Sequence, residues 1–309
     1  MTINKRRSSS RLISSLETTA GSSNDKQPQR PTKKQKRSST TTTKKSHWSR
    51  PGVEAAARLV SLPISSSSSD LEATIKSWNT ALSNYESMIQ AKGGTKLYNL
   101  DQQRQLLAQQ WRRHDDTEQK SCSSSSMTKD QLLNVIIPWK FGKGKPRNAL
   151  KPLLQSNTEG DVISASTIAF KFAESSINTT NENDDEKDAN HSNVQEAIKS
   201  LCQLSGVGPA TASAVLSAYC PQSFAFMDDE VIECLYEAKR GYTLKIYMAV
   251  NDRCVDIAER LNEASSSGGD DGDKKSDWTP ADVAKALWTV ATMAARVDEA
   301  GLAKVFRLV

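Results

Sequence analysis

The chain has no run approaching about 18 consecutive apolar residues, so no segment reads as a membrane-spanning helix. Met1 to Gly21 lacks the apolar stretch of a secretory signal, which points to a soluble intracellular protein. Five cysteines lie far apart with no C-x-x-C pair, arguing against a zinc ribbon or an iron–sulfur cluster and for reduced thiols. Three histidines, His47, His114 and His191, sit in polar surroundings, so neither a histidine metal site nor a Ser-His-Asp triad has a candidate. No metal or other cofactor is expected. Strand-like alternation and internal repeats are also missing, which leaves an all-α class.

What is present is divided unevenly. Hydrophobic residues make up 37% of the chain, and Ser, Thr and charged runs occupy the first seventy residues and the stretches 178–193 and 265–276. That leaves roughly 200 residues for a core, enough for one sizeable domain. The expected organisation is a disordered basic Ser/Thr-rich tail over residues 1–69. An all-α domain then runs over 70–309, interrupted by hydrophilic insertions at 178–193 and 265–276. Up to Arg50 there are 13 Lys and Arg against Glu17 and Asp25, a balance of +11, so with +5 overall the rest carries −6. Within the tail, Pro31 to Arg37 (PTKKQKR) looks like a nuclear localisation signal that an import receptor would bind; a solvated arm attracted to any polyanion is the alternative. The expected location is the nucleus. A mitochondrial or other organellar address is the alternative, because the start is rich in Arg and Ser although Leu12, Ile13 and Leu16 form only a short amphipathic stripe.

Apolar residues recur at steps of four and three from Leu71 through Ile75, Trp78, Leu82, Tyr85 and Ile89, predicting a helix that Gly93-Gly94 ends. A second helix is predicted over Asp101 to Trp111. Thr128 and Gln131 spell a capping box, and Pro138 is expected to end that helix in a basic loop running from Trp139 to Arg147. Trp139 either plugs the core or offers a stacking surface; Lys140, Lys143, Lys145 and Arg147 are candidate phosphate contacts. Thr279, Pro280 and Asp282 mark a further helix start.

The most informative segment is Leu204-Ser205-Gly206-Val207-Gly208-Pro209-Ala210-Thr211-Ala212. Two glycines permit backbone conformations closed to other residues, Val207 can fill the angle between two helices, and Pro209 suits a first helical position. Free amides at the start of the second helix form an anion site suited to a nucleic-acid phosphate. This pattern, L-x-G-V-G-x-x-T-A, resembles the hairpin of the helix-hairpin-helix DNA glycosylases, the superfamily that includes endonuclease III and the adenine glycosylase of mismatch repair. The resemblance covers about Val194 to Tyr236. It implies a glycosylase-like helical fold, sequence-independent contact with the DNA backbone through Gly206, Val207, Gly208, Pro209, Ala210 and Thr211, and a catalytic acid at Asp228, with Asp229 as the alternative. By the same resemblance Asp228 would stabilise a sugar cation or activate water. An ordinary helix cap at Asp228 remains the bland reading.

Two departures matter. Bifunctional members carry a lysine where this chain has Ala210, so strand-cleaving lyase chemistry is not expected and any reaction would be monofunctional base excision. The cysteine cluster of several members is also missing. Residues Thr128 to Arg147 together with the hairpin additionally resemble an uncharacterised eukaryotic protein family, a likeness that implies no activity. Three readings stand at this point: a DNA-binding protein of glycosylase-like fold acting in repair, a non-catalytic nuclear DNA-binding or adaptor module that keeps the hairpin, and a binder of structured RNA.

Overall fold

The structure, a computed structural model, describes residues 51–64, 68–112, 125–177, 184–236, 241–266 and 277–296. The chain divides into two units, Met1–Thr43 and Lys44–Val309, and every described residue belongs to the second. Residues 1–50, with the basic PTKKQKR run, and residues 267–276 of the second insertion lie outside the described residues.

Among the described residues the architecture is all-helical. Three helices come first: α1 (Pro51–Ser61), α2 (Ser68–Ser83) and α3 (Tyr85–Arg112). Four follow: α4 (Lys129–Gln131), α5 (Ile137–Lys143), α6 (Lys151–Ser156) and α7 (Glu159–Ser175). The chain closes with α8 (Asp184–Leu201), α9 (Pro209–Tyr219), α10 (Asp229–Leu235), α11 (Leu244–Ser266) and α12 (Pro280–Ala294).

Two helices form the centre. Every residue of α12 except Asp282 and Lys285 is buried, as is every residue of α9 except Pro209. A helix apolar around its whole circumference must be covered on all sides. Accordingly α12 packs against α1, α2, α3, α10 and α11, while α9 packs against α3, α5, α7, α8 and α11. The start of α12 is set as its sequence predicts: the Asp282 amide donates to Thr279 Oγ1, and Pro280 takes the first turn.

The domain begins earlier than residue 70. Helix α1 lies inside the stretch read as tail, yet Val53, Ala55, Ala56 and Leu59 are buried. A Cβ on Gly52 would fall 2.2 Å from the Ala291 carbonyl oxygen, so α1 starts directly against the α12 backbone. A short Ala-rich stripe beside a long Ser/Thr tract gave no compositional sign of this packing. Residues 184–193, read as insertion, are helical and extend α8. The first predicted stripe is divided between α2 and α3, with Trp78, Tyr85 and Ile89 all buried. At Gly94, φ +62° and ψ −164°, the backbone leaves helical geometry, so α3 is two helices meeting at a kink and the first of them ends at Gly93-Gly94 as expected.

Pro138, by contrast, does not end its helix. The Thr128 capping box forms as expected, and the helix then passes through a π-helical turn over Leu132–Ile136 before α5 carries Pro138 in its first turn. A proline has no N–H for the fourth carbonyl back and its ring would strike that carbonyl; a widened turn accommodates both. The helix therefore continues to Lys143, and the basic loop shrinks to residues 144–147.

Candidate nucleic-acid interface and the buried Lys143–Asp228 pair

The hairpin between α8 and α9 turns at Gly206, whose φ of +76° lies in the left-handed region. A Cβ there would also stand 3.1 Å from Leu153 Cβ and 3.2 Å from Leu154 Cγ, so both conformation and space require glycine. Asn157 clamps the turn from below, accepting from the Ser205 amide at 2.8 Å and donating to the Ser205 carbonyl at 3.0 Å. Val207 is buried between the helices, as the sequence suggested.

Gly208 is a different case. At φ −113° and ψ −179° its backbone is open to any residue, and a Cβ would meet nothing within 4 Å. The expectation of a glycine-only conformation at 208 is therefore wrong; what glycine provides there is an uncovered surface. Among the described residues no acceptor takes the Gly208 or Ala210 amides, whereas the Thr211 and Ala212 amides return to the Gly208 carbonyl at 2.8 and 2.9 Å. The side chains of Val207, Ala210 and Thr211 are buried, so these positions can offer a ligand backbone atoms only.

Helix α9 carries the hairpin towards Asp228. The Met227 amide donates to Ser213 Oγ at 3.1 Å, and the Ala225 amide to Asn251 Oδ1 at 2.7 Å, which fixes the extended segment before α10. Asp228 occupies the N-cap position of α10, yet its carboxylate makes no capping bond. It pairs instead with Lys143 Nζ at 2.6 Å, with the two side chains 4% and 2% exposed. The cap-only reading of Asp228 thus fails on geometry.

Lys143 was expected to touch phosphate; its burial removes it from any surface. Its ammonium lies 4.5 Å from the Trp288 ring centroid, 5.0 Å from Phe226, 5.3 Å from Tyr85 and 5.5 Å from Trp139. Ring faces attract a desolvated cation and compensate part of the hydration lost. Burial lowers the Lys143 pKa, opposed by the Asp228 carboxylate. Burial raises Asp228 to about 6, opposed by Lys143 and assisted by Glu230 and Asp229. The two groups therefore titrate as a pair. Helix α5 thus sets an amine directly against Asp228.

A second layer holds the box. Asp101 accepts from the Trp139 indole at 2.6 Å and from the Tyr85 hydroxyl at 2.9 Å. The Arg104 guanidinium lies 4.0 Å from the Trp139 ring centroid and donates to the Ala214 carbonyl at 3.0 Å and Ser217 Oγ at 2.7 Å. Trp139 is accordingly a core residue, wedged between Arg104 and Phe226.

Outside the pair a shallow cleft of about 30 Å³ is lined by Lys140, Lys145, Arg147, Ala210, Asp228 and Asp229 among others. The hairpin, the basic loop and the two acids expected from sequence therefore meet at one place. Arg147 stacks over Tyr242 at 4.5 Å, and Tyr242 donates to Asp229 Oδ1 at 2.5 Å, which ties the loop to the start of α10. Lys140 has a lowered pKa, first through burial and then through Arg147. A volume of 30 Å³ equals the share of about one water molecule, so no base enters this arrangement.

Sequence reasoning missed Tyr85, Asp101, Arg104, Trp288 and Tyr242. Trp288 lies on a visible apolar stripe, but nothing in a stripe distinguishes a ring that covers a cation from a ring that fills a core. Comparison with protein-family models, curated proteins and solved structures finds no match to this chain.

Proposed function

We propose that this chain binds the backbone of duplex DNA without reading its sequence, seating one phosphate at the α9 N-terminus and the next ones on Lys145 and Arg147. The observation that carries this reading is the meeting, at one cleft, of Ala210 at the start of α9 with an exposed basic loop, the Ala210 amide and that of Gly208 two residues before it both being unengaged among the described residues. Amides at a helix start favour an anion through both hydrogen bonding and the helix dipole. Neighbouring cations then add phosphate contacts that position a protein without selecting bases.

The test uses Gly208→Val and fluorescence anisotropy on a duplex of arbitrary sequence. A side chain at 208 meets open space in the fold but stands where the phosphate would sit, so affinity falls at least tenfold while the melting temperature holds. Lys145→Ala with Arg147→Ala lowers the slope of log affinity against log salt by about 2, because each neutralised phosphate contributes about 0.9. Unchanged affinity in a natively melting Gly208→Val protein overturns the reading.

A second reading, removal of a base by Asp228, is favoured by one observation: a carboxyl with a pKa raised to about 6 stands directly beside the hairpin. It requires the 144–147 loop to move, since Asp228 is covered. Single-turnover base release from damaged and mismatched duplexes, lost in Asp228→Asn and kept in Asp229→Asn, is its expected signature. Tight binding with no release from any duplex leaves the binding module.

A further inference from the structure

A second and far larger cavity, about 600 Å³, lies in the groove between α3 and the α5–α6 segment. We infer that this groove receives one unpaired nucleotide of a DNA strand docked at the hairpin, an inference that rests on the duplex-binding reading.

The volume falls in the range of small-ligand pockets, about 300–1,000 Å³. The floor is apolar: Leu97, Ile137 and Leu154 are buried, and Leu133 and Phe141 are half-buried. Phe141 supplies a ring on which a base can stack, an interaction open to any base. Among the described residues, the charged members of the lining are Lys96 and Lys151, both exposed, while the Asp130 carboxylate just outside it is engaged by Asn134 Nδ2. That balance selects an anion and repels the chain's own basic tail. Asn148 and Gln155 complete the rim with donors and acceptors suited to a base edge, and Asn134, whose Nδ2 donates to Asp130 Oδ1 at 2.6 Å, adds its side-chain carbonyl as an acceptor. A flat apolar body, a hydrogen-bonding edge and a negative end describe a nucleotide.

Its placement connects it to the hairpin. Leu154 lines the groove, and its backbone nitrogen would lie 3.2 Å from a Cβ on Gly206, so the turn and the groove share α6. Pro146 and Asn148 at the mouth continue the loop that carries Lys145 and Arg147. A strand leaving the phosphate site along that loop arrives at the groove. A base can enter only if it is out of the double helix, so the groove distinguishes unpaired from paired nucleotides. It also lies across α5 from the acid pair. Lys143 turns to Asp228 and Trp139 to the ring box around Lys143, whereas Pro138, Phe141 and Gly142 turn to the groove. The held base is thereby recognised, not excised.

The experiment compares full-length protein on a fully paired duplex and on the same duplex with a single-nucleotide bulge of 2-aminopurine. Anisotropy should give about tenfold tighter binding to the bulge, the scale of one stacked base, with a change in 2-aminopurine fluorescence. Asn134→Trp fills the groove from an exposed position; Lys151→Glu reverses a rim charge. Either variant abolishes the preference and leaves affinity for the paired duplex within twofold. Gly208→Val weakens both duplexes together. Equal wild-type affinity for the two duplexes, or a preference that survives in both groove variants, overturns the inference while leaving the hairpin reading in place. Saturable binding of free dAMP without any bulge preference also overturns it, assigning the groove to a mononucleotide. Failure to bind either duplex removes the hairpin reading and this inference with it.

Discussion

Replacing Lys143 with Met should be among the most destabilising single changes in this protein, and the same change beside Asp228→Leu should not be. Lys143 is 2% exposed and Asp228 4%, with 2.6 Å between their charges. Removing the ammonium strands a carboxyl that makes no capping bond. Breaking one side of a buried pair costs about 3–5 kcal/mol, whereas replacing both partners with apolar groups of similar volume is often neutral or stabilising. Met suits the box because four aromatic rings already surround the Nζ position. For a domain of this size each kcal/mol moves the midpoint by about 2–4 °C, so Lys143→Met should lower it by about 6–20 °C. Urea unfolding of wild type, both singles and the double closes a thermodynamic cycle. A single-variant cost below about 1 kcal/mol, or a double variant worse than the worse single, would refute the assignment of this pair as a buried, mutually dependent unit.

Further outcomes follow from the same geometry. Folding raises the Asp228 pKa to about 6 from its ordinary 3.8, so the folded state holds a proton the unfolded chain has lost. Its contribution is thus full below about pH 4 and disappears as pH rises through 6. Wild type minus Asp228→Asn stability, measured by urea unfolding from pH 4 to 7, should fall by about 2.4 kcal/mol, because each tenfold change in proton affinity is worth about 1.36 kcal/mol and about a fifth of the full effect lies below pH 4; a flat difference contradicts the raised value. Gly206→Val should cost about 1–3 kcal/mol through its positive φ, against nearly nothing for Gly208→Val, read by thermal melting. Asp101→Ala removes the acceptor of two buried donors, the Tyr85 hydroxyl and the Trp139 indole, and should cost about 2–6 kcal/mol at about 1–3 for each; a loss below 1 kcal/mol contradicts the network.

The sequence was most legible where one local rule acted alone. Thr128 with Gln131 and Thr279 with Pro280 follow from contacts within a few residues, the left-handed turn at Gly206 from the glycine's own backbone freedom, and each stands as expected. Legibility failed where the deciding contact was distant. Lys143 in a basic, glycine-bearing run looks like a solvated cation; its burial depends on Trp288, Tyr85 and Phe226, contributed by three other parts of the chain. Asp228 has every local mark of an N-cap, and only Lys143 draws its carboxylate away. Pro138 reads as a stop because the rule concerns regular α-helix, and a π turn is a way around it that periodicity does not announce. Helix α1 was hidden by its neighbourhood: an Ala-rich turn beside a Ser/Thr tract shows its purpose only through Gly52 against Ala291.

Two of these misses, Lys143 and Asp228, bear on function because they meet at one acid. A carboxylate offered to a sugar must face an opening, and Asp228 faces an ammonium in an aromatic box beside a cleft of about 30 Å³. The same pair joins α5 to the start of α10, and α5 leads directly into the loop of Lys145 and Arg147. If the proposed docking draws that loop outward, it pulls on Gly144, one residue from Lys143, and the proposal then ties docking to exposure of Asp228. Lys143→Met with Asp228→Leu separates the two. If the pair merely fills the core, the double variant binds paired duplex as wild type does. If docking works against the pair, removing its attraction strengthens duplex binding, and the gain measures the energy that the closed arrangement withholds.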